Sequence, residues 1–222
     1  MSKPMQIQLL LVAAISFVLL FQDEIKISID RNSNNTANSA FKFKTVPPPA
    51  KDDAATKAKL MLLDGDSDPN GADLSGLTDG LVPTTEDQPG SNFFFKGGSG
   101  GGRFRIDLGA AIEIAQVNTY SWHPDSRGPQ VYRLWAGDES NPKFNAEPKG
   151  TTDPITCGWT QLALVDTRSK EGQDGGQYGV SVSSSRGSLG KYRYLILDIY
   201  VTEVADNWGN TFYSEVDVVA KK

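Results

Sequence analysis

The stretch that decides the fold is FRIDLGAAIEIAQVNTYSWHPDSRGPQVYRLWAGDE, residues 104–139. Its first five residues, with Arg103, alternate. Phe104, Ile106 and Leu108 share one face, and Arg103, Arg105 and Asp107 share the other. A period of two is the signature of a half-buried β-strand. The pattern resumes over 112–122 and again over 130–136, with SWHPDSRGPQ between them. That connector holds His123, the only histidine of the chain.

Working outward, the same strand-and-turn rhythm continues. Candidate strands lie at 60–63, 92–96, 159–167, 178–184, 193–200 and 212–220, in addition to 103–108, 112–122 and 130–136. In the last of them Val216 and Val218 alternate with Glu215 and Asp217. Sustained helical periodicity is absent and no fixed repeat recurs, which argues against bundles, solenoids and propellers. Short strands joined by Gly, Pro and Asp loops predict an all-β jelly roll or sandwich over 57–222.

The N-terminus differs. Lys3 precedes the apolar run Leu9–Phe21, LLLVAAISFVLLF. As a helix it would span roughly 20 Å, against ~30 Å for the hydrocarbon core of a bilayer. Residues 1–22 therefore read as a signal peptide or a membrane anchor. Either places the rest outside the cytoplasm, touching membrane only through this segment if it is uncleaved. Residues 23–56 contain polar RNSNNTANSA and proline-rich VPPPAKDD, and read as a disordered linker.

Composition removes several functions. The net charge is −5, so the basic face that binds a phosphate backbone is not expected, and nucleic acid is excluded as a partner. One cysteine, Cys157, forbids an intrachain disulfide, and with one histidine it cannot build a Cys/His zinc site. The Gly97, Ser99, Gly101 pattern in KGGSGGGR mimics a nucleophile motif, but a strand follows rather than a helix, so it reads as a hairpin loop. DSDPNG at 66–71 resembles half a calcium loop and reads as an acidic turn, because Leu77 stands where a bidentate glutamate belongs. No catalytic residue is assigned and no enzymatic activity is expected.

Three segments taken together, LTDGLVPT (77–84), the stretch 104–139, and WTQLALVDTR with KYRYLILDIY and FYSEVDVV, resemble the discoidin or coagulation factor 5/8 type C family. This is the galactose-binding-domain-like jelly roll that includes many carbohydrate-binding modules. The resemblance implies a structural Ca²⁺ held by Asp79, Thr84 and Glu215, joining the last strand to an early loop. The chain departs from the family pattern at Leu81 and at Glu86, where tryptophan is common. The resemblance also implies ligand binding by loops at one end. A sugar needs fixed donors and acceptors for its hydroxyls and an aromatic face for its C–H surface. His123, Asp125 and Arg127 in the opening connector, with Asn207 and Trp208 in ADNWGN, are the candidates. The implied partner is a glycan or cell-envelope polysaccharide. A structural envelope domain binding a protein, and a β-sandwich carbohydrate-active enzyme, are the rival readings.

Overall fold

A computed structural model describes residues 24–169, 175–203 and 208–222. The hydrophobic run at 9–21 and Asn207 lie outside these. Eight strands form one antiparallel system: β1 (Ile25–Asn32), β2 (Lys59–Asp64), β3 (Gly101–His123), β4 (Val131–Gly137), β5 (Thr160–Asp166), β6 (Gly176–Ser184), β7 (Gly190–Tyr200) and β8 (Tyr213–Ala220). Only short 3₁₀ turns interrupt them, at Leu74–Thr78, Pro89–Ser91 and Pro154–Cys157. None of the described residues form a helix long and apolar enough to cross a membrane.

The organising element is β3, 23 residues long. Its first half pairs with β2 and β7, and its second half with β6 and β8. The two strands expected at 103–108 and 112–122 are thus one strand with a corner. Its register against β7 breaks between Asp107 and Ile112. Gly109 sits in the break with φ of 80°, and its amide donates to Asp107 Oδ1 at 2.9 Å. A glycine at positive φ lets the strand turn without a Cβ clash. The corner carries β3 from one side of the sandwich (β2-β3-β7-β4-β5) to the other (β8-β3-β6-β1).

Between the two sides lies one core. Phe104, Ile106, Leu134, Leu195 and Leu197 of the first side pack in the same cluster as Val117, Val180, Val182, Val216 and Val218 of the second. The all-β sandwich expected from the alternating pattern is the fold formed. One expected strand is not part of the ladder. Residues 92–96 make only single bridges, Ser67 to Phe95 and Phe93 to Tyr213. The 3₁₀ turn before them and the turn of Ser99 onto Lys96 after them leave too short a run to extend. Phe93 and Phe95 nonetheless enter the core.

The linker expected over 23–56 is corrected by the structure. Residues 25–32 form β1, paired with β6 from Ile25–Ser184 to Asn32–Gln177. Beyond it, Phe41 and Val46 pack with Tyr120 and Trp122 on the outer face of the second side, and Ala55 joins the main core. Phe41 meets Trp122 edge-on with ring centroids 5.6 Å apart. It does so at φ of 47°, a left-handed conformation that a bulky side chain adopts only when packing enforces it.

Polar composition misled because the fold satisfies this segment's backbone with distant side chains. Gln177 donates to the Asn38 carbonyl and accepts from the Asn38 amide. Asp30 accepts from the Thr45 and Val46 amides, and the Tyr120 hydroxyl donates to the Pro47 carbonyl. With its backbone groups paired, a polar stretch can be ordered without leaving buried polar groups unsatisfied. Phe41→Ala is expected to lower unfolding free energy by about 3–5 kcal/mol, measured by urea denaturation. A free linker would show no loss.

Candidate functional site

Antiparallel register fixes which loops meet. Asp64 pairs with Arg103, Gly101 with Tyr200, Tyr132 with Ile199, Val131 with Asp166, His123 with Gly176 and Ser121 with Tyr213. These strand ends therefore lie together, and the loops after β2, β3, β5 and β7 open at one end of the sandwich. The opening connector and the segment around Trp208 belong to two of them, so the structure brings His123, Asp125, Arg127 and Trp208 together.

Arg127 is the hub. Its guanidinium carbon lies 4.0 Å from the Phe212 ring centroid, 4.7 Å from that of Phe94 and 5.7 Å from that of Trp208. Phe94 and Phe212 are themselves stacked at 4.1 Å. Cation–π contact of this kind is favourable, more so where water is excluded. Arg127 Nε donates to the Asn210 carbonyl at 3.1 Å, and the Phe212 amide donates to the Arg127 carbonyl at 2.9 Å. The two loops are thereby locked face to face. Ser126 adds a bond from its hydroxyl to Glu203 Oε1 at 2.8 Å.

Trp208 stands on top of this stack, 57% exposed. Trp122, by contrast, is buried against Phe41 and belongs to the packing of the outer face. His123 is also buried, with its ring edge on Phe212 at 4.7 Å. Its Nδ1 lies 2.7 Å from Asp125 Oδ1 and 3.2 Å from the Asp125 amide. Whichever tautomer the ring adopts, this nitrogen ties it to the connector. The Asp125 carboxylate itself remains largely exposed.

The end surface thus presents an exposed aromatic plane against Arg127 and a carboxylate whose position is set from behind by His123. Phe94 and Phe212 were not singled out from sequence. For Phe94 a signal existed: in NFFFK, strand alternation points it away from the core-facing Phe93 and Phe95.

The second expected cluster is only partly assembled. Glu215 is fully buried and its Oε2 accepts from the Gly80 amide at 3.1 Å. Its Oε1 has no hydrogen-bond partner. Burial, with Asp217 and Asp79 nearby, pushes its carboxyl up to about 9, and burial and Asp53 raise Asp217 to about 7. A buried oxygen without a partner is costly, and a hard cation is the group such an oxygen suits. Asp79, exposed, uses Oδ1 to accept from the Leu81 amide in its own turn. Thr84 is turned elsewhere, its amide and hydroxyl both donating to Gln88. Among the described residues no group of three or more His, Cys, Asp or Glu is arranged to hold a metal. Glu215 and Asp79 suit a cation, and the hydroxyl of Thr84 is engaged.

The class defined by this geometry is an all-β sandwich with a loop-built surface at one end. No family model matches the chain, and no curated protein matches it in sequence. Among solved structures, it is similar to the lectin domain of lectinolysin complexed with Lewis B antigen, at 14% identity and a TM-score of 0.48, covering 77% of this chain and 98% of that one. It is also similar to the family 32 CBM from C. perfringens NanJ in complex with galactose (10% identity, TM-score 0.46, 72% and 92% covered). A third is a Streptococcus pneumoniae fucose binding module, SpX-3 (14%, 0.47, 77% and 99%).

The His123 ring is held below its ordinary value of 6.5, chiefly by burial, with Arg127 adding to the effect and Asp125 opposing it. The folded state therefore binds this proton less readily than the unfolded chain. Its contribution to stability is present above the ordinary histidine value and is lost as pH falls from there through the lowered value of the folded state. The wild type should lose more stability than His123→Gln across that window, read as the difference between their urea midpoints at each pH.

Proposed function

We propose that this chain is an extracytoplasmic, non-catalytic module that binds a carbohydrate at the loop end of its sandwich. The observation that carries the reading is Trp208, exposed and braced from behind by Arg127 on Phe212 and Phe94. An aromatic plane held by a cation–π stack offers a rigid surface to the C–H face of a pyranose. Asp125, fixed by His123, adds an acceptor for sugar hydroxyls beside it. Preorganisation matters here because ordering loops on binding would consume much of the modest energy a sugar supplies. Asn207, the other candidate read from the sequence, lies outside the described residues.

The same reading includes a structural calcium ion at Glu215 and Asp79. The unpartnered buried Oε1 of Glu215 supports it. These two residues would hold the ion, which would supply charge compensation to β8 and tie it to the turn at Gly80. The ion has no part in binding the sugar.

Two experiments test the two halves separately. On a glycan array, Trp208→Ala should lose binding by about tenfold or more, given the 1–3 kcal/mol scale of aromatic stacking energies. An array without hits, repeated with calcium present, would remove the carbohydrate reading. For the ion, calcium should raise the melting temperature of the wild type over that in chelator, and Glu215→Gln should abolish the difference. Equal melting temperatures with calcium and chelator would remove the calcium site and leave the sugar surface standing.

A further inference from the structure

The outer face of the first side carries a second polar cleft, at the strand ends of Asp64, Gly101 and Tyr200. Loop 138–159 covers most of this face. Phe144, Ala146 and Trp159 pack on Trp135, Tyr194 and Ile196, and the Pro148 and Thr152 carbonyls accept from Arg103 at 2.8 and 3.0 Å. The covering stops there. Beyond Arg103 lies a cleft of about 310 Å³, lined by residues that include Asp64, Gly100, Arg103, Asp198 and Tyr200.

The polar groups of this cleft are fixed before any ligand arrives. Arg103 is buried, and its Nε donates to Asp198 Oδ1 at 3.1 Å. The Tyr200 hydroxyl donates to Asp198 Oδ2 at 2.9 Å. The guanidinium carbon of Arg133 lies 5.5 Å from the Tyr200 ring centroid, steadying it. Asp64 stands exposed at the rim, where none of the described residues bonds its carboxylate.

The glycine run explains the floor. Gly101 and Gly102 are required by packing. A Cβ on Gly101 would lie 2.1 Å from the Ile199 carbonyl oxygen, and one on Gly102 would lie 2.2 Å from the Phe95 ring. Gly100 is different: a Cβ there would meet nothing within 4 Å. Packing gives no reason for glycine at 100, a position that lines the cleft.

We infer that this cleft is a second ligand site, taking one uncharged hexose unit. Its volume falls at the lower end of small-molecule sites, about 300–1,000 Å³, which suits a single ring. A fixed carboxylate, a guanidinium and a phenol within one cleft match adjacent sugar hydroxyls, and the half-buried Tyr200 ring offers an aromatic wall. Two carboxylates against one guanidinium in the lining disfavour an acidic sugar. The cleft opens at the same end of the sandwich as the Trp208 surface, but Trp208, Arg127 and Asp125 are not among its lining residues, and one segment joins the two. Asn210 Nδ2 donates to the Lys96 carbonyl at 3.0 Å, and the Ser99 hydroxyl donates to the same oxygen at 2.7 Å, just before Gly100. Occupancy of both would let the module hold a branched or extended glycan at two points.

The test is an NMR titration of the ¹⁵N-labelled full chain with galactose, glucose, mannose and fucose, with glucuronate and calcium chloride as controls. At least one neutral sugar should shift the amides of Gly100, Gly102 and Tyr200 saturably. Gly100→Trp should abolish these shifts at an unchanged melting temperature, and Trp208→Ala should leave them in place. Asp64→Ala, at an exposed position, should weaken the same sugar by about tenfold or more, as for loss of a hydrogen bond to a charged group. Absence of shifts with all four sugars overturns the site. So do equal shifts with glucuronate or calcium alone, persistence in Gly100→Trp, or loss in Trp208→Ala. Because Trp208→Ala separates the two surfaces, failure of this site is distinguishable from failure of the loop-end surface.

Discussion

The pairing of β3 with four other strands is the constraint on which the structure depends. A single strand of 23 residues contributes hydrogen-bond partners to both sides of the sandwich, and its corner at Gly109 sets their relative orientation. Every other strand is placed by reference to it, directly or through one or two neighbours. The same pairing fixes which loops share an end, because antiparallel register brings the end of β3 beside the starts of β6 and β8. The surface around Trp208 is a consequence of that register. The glycine at the corner and the alternation on either side of it act together: alternation keeps Phe104, Ile106 and Val117 inside, and the corner lets them face one another.

Both sides of the sandwich carry a second, smaller apolar cluster on the outer face, each covered by an irregular segment. Residues 33–50 cover Tyr120 and Trp122, and loop 138–159 covers Trp135, Tyr194 and Ile196. In both cases long-range polar contacts hold the cover down. Gln177, Asp30 and Tyr120 hold the first. Arg103 and Arg105 hold the second through the Pro148, Thr152 and Ala146 carbonyls. The arginines on the outward face of β3 are therefore not a solvated stripe. They satisfy loop carbonyls that would otherwise be buried without donors.

The carboxylates of β8 show the same effect in reverse. Alternation places Glu215 and Asp217 opposite the core valines, a position that would ordinarily face water. They are buried because Gly80 and residues 50–54 close over that face. The Gly80 amide donates to Glu215, the Ala50 amide to Asp217, and the Ala54 amide to the Val218 carbonyl. Two acids brought into a low-dielectric site have raised affinities for protons. The cover over Asp217, residues 50–54, belongs to the N-terminal segment that polarity alone assigned to a linker.

Sequence by itself determined the sandwich and most of its strands, though not β1 or the isolated bridges of 92–96, because periods of two and glycine- or proline-marked turns are local signals that survive without tertiary information. It also determined what the chain cannot do with one histidine and one cysteine. Tertiary structure decided that 25–56 belong to the fold, that His123 and Arg127 stand behind the end surface as braces, and that Glu215 is buried against Gly80. Each of these depends on partners far apart in sequence: Gln177 on Asn38, Phe94 and Phe212 on Arg127, Gly80 on Glu215. Burial and pairing across such separations are properties of the packed chain, and no window of residues carries them.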